Sequence, residues 1–152
     1  MYDVRVAYTL EQCWHDVPGG TATSMLRLAE ELTHIEGVEM VGVAGRHRRP
    51  PVSGYETPLR TASLPLARPW LYESWHRLNW PIVESATGVV DVCHSTAGIP
   101  APSRAPGVVT LHDVAFLKRP DRLTRQGARV LTNAVHRALS SAAVTCPSKV
   151  VR

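Results

Sequence analysis

Cysteine is scarce and poorly placed for cross-linking. The three present, Cys13, Cys93 and Cys146, are odd in number, widely spaced and form no CxxC pair, which argues against a disulfide framework. Cys93 and Cys146 sit in apolar runs, where a cysteine usually serves as a small buried hydrophobe. Long apolar stretches are missing too: none approaches the roughly 20 residues needed to cross a bilayer. The opening Met1-Tyr2-Asp3-Val4-Arg5 lacks the basic and then apolar layout of a secretory signal, so the expectation is a cytoplasmic chain. No G-x-G-x-x-G and no GK[ST] occurs, which disfavours a dinucleotide site and a P-loop. There is no G-x-S-x-G elbow of the α/β-hydrolase kind. No HExxH-like spacing suggests a metal. Internal repeats and low-complexity segments are also lacking.

What is present is an ordinary soluble core composition, 44% hydrophobic and 20% charged, which excludes global disorder. At 152 residues the chain fits one domain. The net charge of +4 is unevenly spread: residues 1–99 hold 8 Lys/Arg against 11 Asp/Glu, and residues 100–152 hold 9 against 2. Much of the excess falls on Lys118, Arg119, Arg122, Arg125, Arg129 and Arg137. Such a stretch is either a solvated helix face or a patch for phosphate, an anionic membrane surface or an acidic partner. Nothing in it resembles a nucleic-acid recognition motif, and no nucleic-acid partner is expected.

Along the chain, Val4-Arg5-Val6-Ala7-Tyr8 is a short β-branched run that predicts a first strand. A polar loop leads to Gly19-Gly20-Thr21. Ala22, Met25, Leu26, Ala29 and Leu32 then recur at helical spacing, with Arg27, Glu30 and Glu31 opposite, and Gly37 is placed to end that helix. Residues 38–44 predict a second strand. Residues 45–69 read mostly as loop, with a short strand over Leu59–Leu64. Leu71, Trp75, Leu78 and Ile82 predict a helix that Pro81 splits near Trp80. Further strands are predicted at 89–94, 107–111 and 142–146. The helix between the last two turns Leu131, Ala134, Val135, Ala138 and Leu139 inward, and Ser148 is placed to cap another. Alternating strands and helices predict one open, doubly wound α/β domain.

In such folds ligands bind outside the carboxyl ends of the strands. Three polar features fall there: the loop before Gly19-Gly20, the loop after His94, and His112-Asp113. Glycines opening a helix favour an anion through free N–H groups and the helix dipole; a tight turn that packs the helix on the sheet is the alternative. His112 emerges directly from an apolar strand, where an imidazole can donate, accept or titrate; a structural hydrogen bond is the alternative. Asp113 beside it can orient the ring, bind a hydroxyl or cap a turn. Trp70, Tyr72, Trp75 and Trp80 offer a stacking surface, though at helical spacing a core role is favoured.

Taken in order, these pieces resemble the N-terminal domain of glycosyltransferase family 4, retaining enzymes with two facing Rossmann-like domains. The carrying residues are Val17-Pro18-Gly19-Gly20 with Leu28-Ala29-Glu30-Glu31-Leu32, then Val90-Asp91-Val92-Cys93-His94-Ser95 and the Pro100 to Pro106 loop. The most specific stretch is Val108-Val109-Thr110-Leu111-His112-Asp113-Val114-Ala115-Phe116-Leu117-Lys118-Arg119-Pro120, followed by Ala143-Val144-Thr145-Cys146-Pro147-Ser148. Asp-x-Asp, the metal–nucleotide signal of the other large glycosyltransferase class, is missing. The resemblance implies a Rossmann-like, doubly wound and mostly parallel sheet with helices on both faces, spanning 1–152. It implies transfer from a nucleotide-sugar donor to an acceptor without a metal or other cofactor. His112 would face the transferring sugar as the catalytic-site residue. Gly19, Gly20, Thr21, His94 and Asp113 would contact substrate. The donor-binding second domain is not in this sequence, so the chain reads as an acceptor-side half, inactive by itself. Peripheral contact with the inner face of a membrane through the basic helix is a further expectation. The competing expectation is a non-catalytic α/β module that binds a small acceptor, an anionic lipid headgroup or a partner protein; a flavodoxin-like ligand binder is more distant.

Overall fold

The computed structural model describes residues 3–112 and 125–146. Strand β1 (Val4–Thr9) is followed by a one-turn 3-10 helix (Glu11–Trp14) and helix α1 (Gly19–Thr33). Then come β2 (Val38–Ala44), β3 (Thr61–Ser63), α2 (Trp70–Leu78), the single turn α3 (Glu84–Thr87), β4 (Val92–Ser95), β5 (Gly107–Thr110), α4 (Arg125–Ser141) and β6 (Ala142–Thr145). The six strands form one sheet in the order β3-β2-β1-β4-β5-β6, and every pairing is parallel. This is the doubly wound Rossmann-like order, in which β1 and β4 lie side by side and the chain leaves them toward opposite edges.

Successive residues of a strand face opposite sides of a sheet, and β1 divides the core accordingly. Ala7 packs with Val43, Leu64, Leu71, Trp75, Val83, Val90 and Cys93 on the face covered by α2. Tyr8 packs with Leu10, Cys13, Ala22, Met25 and Ala29 on the face covered by α1. Both faces are thus buried, as parallel sheets require. A third cluster joins Val109 and Leu111 to Val135 and Ala138 of α4. No described helix is long and apolar enough to cross a membrane.

Several local expectations shift. Helix α1 stops at Thr33 with His34 as its C-cap; Gly37, at φ +81°, shapes the turn into β2 instead. Helix α2 ends before Pro81, at Asn79 in the left-handed conformation, because the residue preceding a proline is already steered out of the helical region. On α4, Ala134, Val135 and Ala138 are buried as expected, whereas Leu139 is 65% exposed. Helix α4 covers β5 and β6 at the edge of the described sheet, where fewer strands remain to receive a broad apolar stripe. The positions of Ser148, Lys118, Arg119 and Arg122 lie outside the described residues.

Gly45, just after β2, is held by close approach. A Cβ there would lie 2.7 Å from the Leu66 carbonyl oxygen and 3.1 Å from Glu11 Oε2, and a backbone oxygen cannot swing aside. Gly45→Ala is therefore expected to destabilise the fold by about 1–3 kcal/mol, read as a lower urea midpoint at an unchanged slope.

Candidate functional site at the switch point

The carboxyl ends of β1 and β4 are locked together by paired threonines. Thr96 N–H donates to Thr9 Oγ1 at 3.0 Å, and Thr96 Oγ1 donates to the Thr9 carbonyl at 2.6 Å. Both residues are buried. The clasp fixes the edges of the crevice that opens where the strand order reverses, the expected ligand position in an open α/β sheet. A cavity of about 240 Å³ lies at this edge, lined by Gln12, Thr21, Ala97, Gly98, Leu111, His112, Leu131 and Val135. It is smaller than the roughly 300–1,000 Å³ of typical small-molecule pockets and has room for a group the size of a single sugar ring.

His112 Nε2 donates to the Thr96 carbonyl at 2.8 Å. A carbonyl only accepts, so Nε2 carries hydrogen and Nδ1 is the ring's acceptor when the imidazole is neutral. Leu111 N–H donates to the Thr145 carbonyl at 2.9 Å, which continues the sheet ladder up to the histidine and fixes its backbone. Thr21 brings the first turn of α1 to the same cavity. That helix has no side-chain N-cap, so its first N–H groups lack helical acceptors. Gly19 adopts φ +64°, a conformation that strains other residues, and the space over Gly19 and Gly20 is open within 4 Å. Gln12 Nε2 donates to the Pro18 carbonyl at 3.1 Å, tying the 3-10 helix to the start of α1.

The expected residues thus separate. His112 and Thr21 line one cavity, while Gly19 and Gly20, the two residues before Thr21, do not line it. His94 lies behind them, 8% exposed. Its Nε2 is 2.7 Å from Thr110 Oγ1, which lies 2.9 Å from Thr145 Oγ1, and its ring meets Tyr8 edge-on at 5.0 Å. Burial, then the neighbouring His112, pushes the His94 pKa down to about 4; the residue is a neutral support under the cavity rather than part of its wall. Tyr8 is held protonated by burial first and then by Cys13, and its hydroxyl donates to the Met25 carbonyl at 2.8 Å. Asp113 falls outside the described residues. Burial also pushes the Cys13 and Cys93 thiols up, to about 11 and about 12, and neither is a nucleophile at neutral pH. Among the described residues no group of three His, Cys, Asp or Glu is placed to hold a metal.

Sequence reasoning passed over Gln12, Gly98 and the Thr9–Thr96 clasp. Thr9-Leu10 at the end of β1 and Ser95-Thr96 at the end of β4 carry the same signal that nominated His112, a polar group closing an apolar strand. Of the aromatics, Trp75 is core at 2% exposure while Trp70 is 70% exposed. On the basic helix, Arg125 and Arg129 are exposed, but Arg137 turns inward and its Nη1 donates to the Trp75 carbonyl at 2.9 Å. No family model matches the chain, and neither the curated proteins nor the solved structures give a match.

Proposed function

We propose that this chain is the acceptor-side domain of a retaining glycosyltransferase that uses a nucleotide-sugar donor, the donor being held mainly by a second domain. The observation that carries the proposal is the meeting of Thr21, at the uncapped start of α1, with His112, at the end of β5, on one cavity at the switch point. A phosphate leaving group gains from helix N-terminal N–H groups, and a histidine with a fixed tautomer positions a sugar hydroxyl. The sequence resemblance assigns these two features the same roles. In this reading His112 orients the transferring sugar and makes no covalent bond to it, no metal or other cofactor takes part, and the work is done in the cytoplasm.

One wall of a site does not turn over. With radiolabelled nucleotide sugars, the 152-residue chain is expected to transfer no label above background. Transfer at the rate of a complete two-domain enzyme overturns the half-site reading. In a polypeptide that carries the second domain, His112→Ala is expected to lower kcat by about 10²-fold or more, the scale for loss of one positioned polar group, and unchanged kcat removes His112 from the mechanism. The exposed Arg125 and Arg129 support peripheral contact with an anionic membrane. Reversing both charges is expected to abolish co-sedimentation with phosphatidylglycerol vesicles, and unchanged binding overturns that part.

A further inference from the structure

A second polar cluster occupies the same edge of the sheet, at the ends of β1 and β2. Glu11 follows β1 and is only 4% exposed. Its Oε2 accepts the Gly45 N–H at 2.7 Å and lies 3.0 Å from His47 Nε2, while its Oε1 is buried without a partner. A carboxylate only accepts, so His47 Nε2 carries the hydrogen, and in the neutral imidazole Nδ1 is left as an acceptor. That nitrogen has no hydrogen-bond partner among the described residues. The indole of Trp14 stacks on the imidazole, with ring centres 4.5 Å apart and planes within 6°, and its N–H is anchored on the Arg49 carbonyl at 2.9 Å. The ring is thus fixed from two directions, and 19% of the His47 side chain is exposed. Beside it, His15 Nε2 is 3.4 Å from the Tyr72 hydroxyl.

This is more than a clasp between two loops. A buried carboxylate behind a part-exposed imidazole selects one tautomer and keeps the other nitrogen as an acceptor, the general logic of an oriented base. We propose that His47, positioned by Glu11, is a hydroxyl-binding residue whose Nδ1 accepts a hydrogen bond from a neutral polyol or sugar at the carboxyl ends of β1 and β2. The ligand must donate, which excludes a bare anion. An ammonium is disfavoured by Arg68, which acts electrostatically on both His15 and Tyr72, and by the exposed Arg46, Arg48 and Arg49 that flank His47. A metal would need more than one ring nitrogen, and no three-ligand group occurs among the described residues. His15, with its pKa pushed down to about 4 by burial and then Arg68, supplies a further neutral group. The site is separate from the His112 cavity and needs no nucleotide-sugar donor, so it stands or falls apart from the transferase reading.

The test uses the ¹⁵N-labelled chain and two probes, methyl α-D-glucopyranoside and glycerol, followed through the ring nitrogens of His47 by long-range ¹H–¹⁵N correlation. Without ligand, His47 is expected in the Nε2–H form. On titration with at least one probe, Nδ1 shifts saturably. Glu11→Ala weakens that binding about tenfold, the effect of losing a charged hydrogen-bond partner. Trp14→Leu, which leaves the carboxylate in place, weakens it while the amide spectrum stays dispersed, and so guards against misfolding of the Glu11 variant. An Nδ1–H tautomer, a His47 unmoved by both probes, or folded variants that both bind as well as the parent each overturn the proposal.

Discussion

Replacing Trp75 with alanine is expected to remove about 3–5 kcal/mol of folding stability, the range for deleting a buried indole. Set against the roughly 5–15 kcal/mol that holds a domain together, that is enough to leave much of the chain unfolded near physiological temperature. Trp75 is 2% exposed and sits in the cluster that joins Ala7, Val43 and Cys93 of the sheet to Leu71 and Val83. Its polar atoms are engaged as well. The indole N–H donates to the Pro81 carbonyl at 3.0 Å, and its own carbonyl accepts from Arg137 of α4 at 2.9 Å. One residue therefore ties α2 to the turn leading into α3, to the sheet and to α4. Trp75→Phe keeps most of the apolar contact but orphans the Pro81 carbonyl, and a loss of about 1–3 kcal/mol is expected. Trp70→Ala, at a site 70% exposed, should stay within about 0.5 kcal/mol of the parent. Urea midpoints at a constant slope measure all three. Similar losses at Trp70 and Trp75 would contradict the division of the aromatics into core and surface.

The division was only partly legible in the sequence, and the reason is geometric. The Leu71, Trp75, Leu78 and Ile82 stripe places Trp75 inward, but Leu78 on that stripe is 71% exposed, and a nine-residue helix has few turns in which to average out an error in its phase. Strands β1 and β2 read cleanly because both are β-branched runs with turn residues at their ends, and helix α1 because Ala22, Met25 and Ala29 recur on one face over about two turns. Their pairing was legible as well, since a strand–helix–strand unit dictates a parallel neighbour. The His112 cavity was half legible. Its placement at a strand end followed from the apolar run before it, whereas Gln12 and Gly98 are loop residues that only the fold brings to it. Glu11 and His47 were illegible as a pair. They are 36 positions apart in loops without periodicity, and they meet because the parallel register of β1 and β2 delivers both carboxyl ends to one edge. Each does follow an apolar strand within a few residues, so the criterion that found His112 would have flagged them had it been applied to every strand.

Acidification from neutral pH is expected to weaken the fold by about 3 kcal/mol through His94 alone, because one pKa unit is about 1.4 kcal/mol. In the unfolded chain this imidazole takes up a proton near its ordinary value of 6.5; in the folded chain burial, and then His112, delay uptake to about 4. Between those values the unfolded state holds more protons, so stability falls as pH drops through the window and levels off below it. His15, depressed to about 4 by burial and then Arg68, pulls in the same direction. Glu84 adds a loss at lower pH. Burial would raise its pKa, but the Ser103 hydroxyl and the Arg104 and Ala105 N–H groups more than offset this and hold it below the ordinary carboxylate value. His94→Gln keeps a polar contact for Thr110 and removes the titration, so its urea midpoint should change less between about pH 7 and about pH 4.5 than that of the parent. Equal changes in both proteins would show that His94 is not the group responsible. The groups facing His94 are the neutral Tyr8 ring, the Thr110 hydroxyl and His112. A proton on His94 puts a charge directly behind the wall of the cavity that His112 lines, so the same pH window that loosens the fold should also weaken ligand binding there.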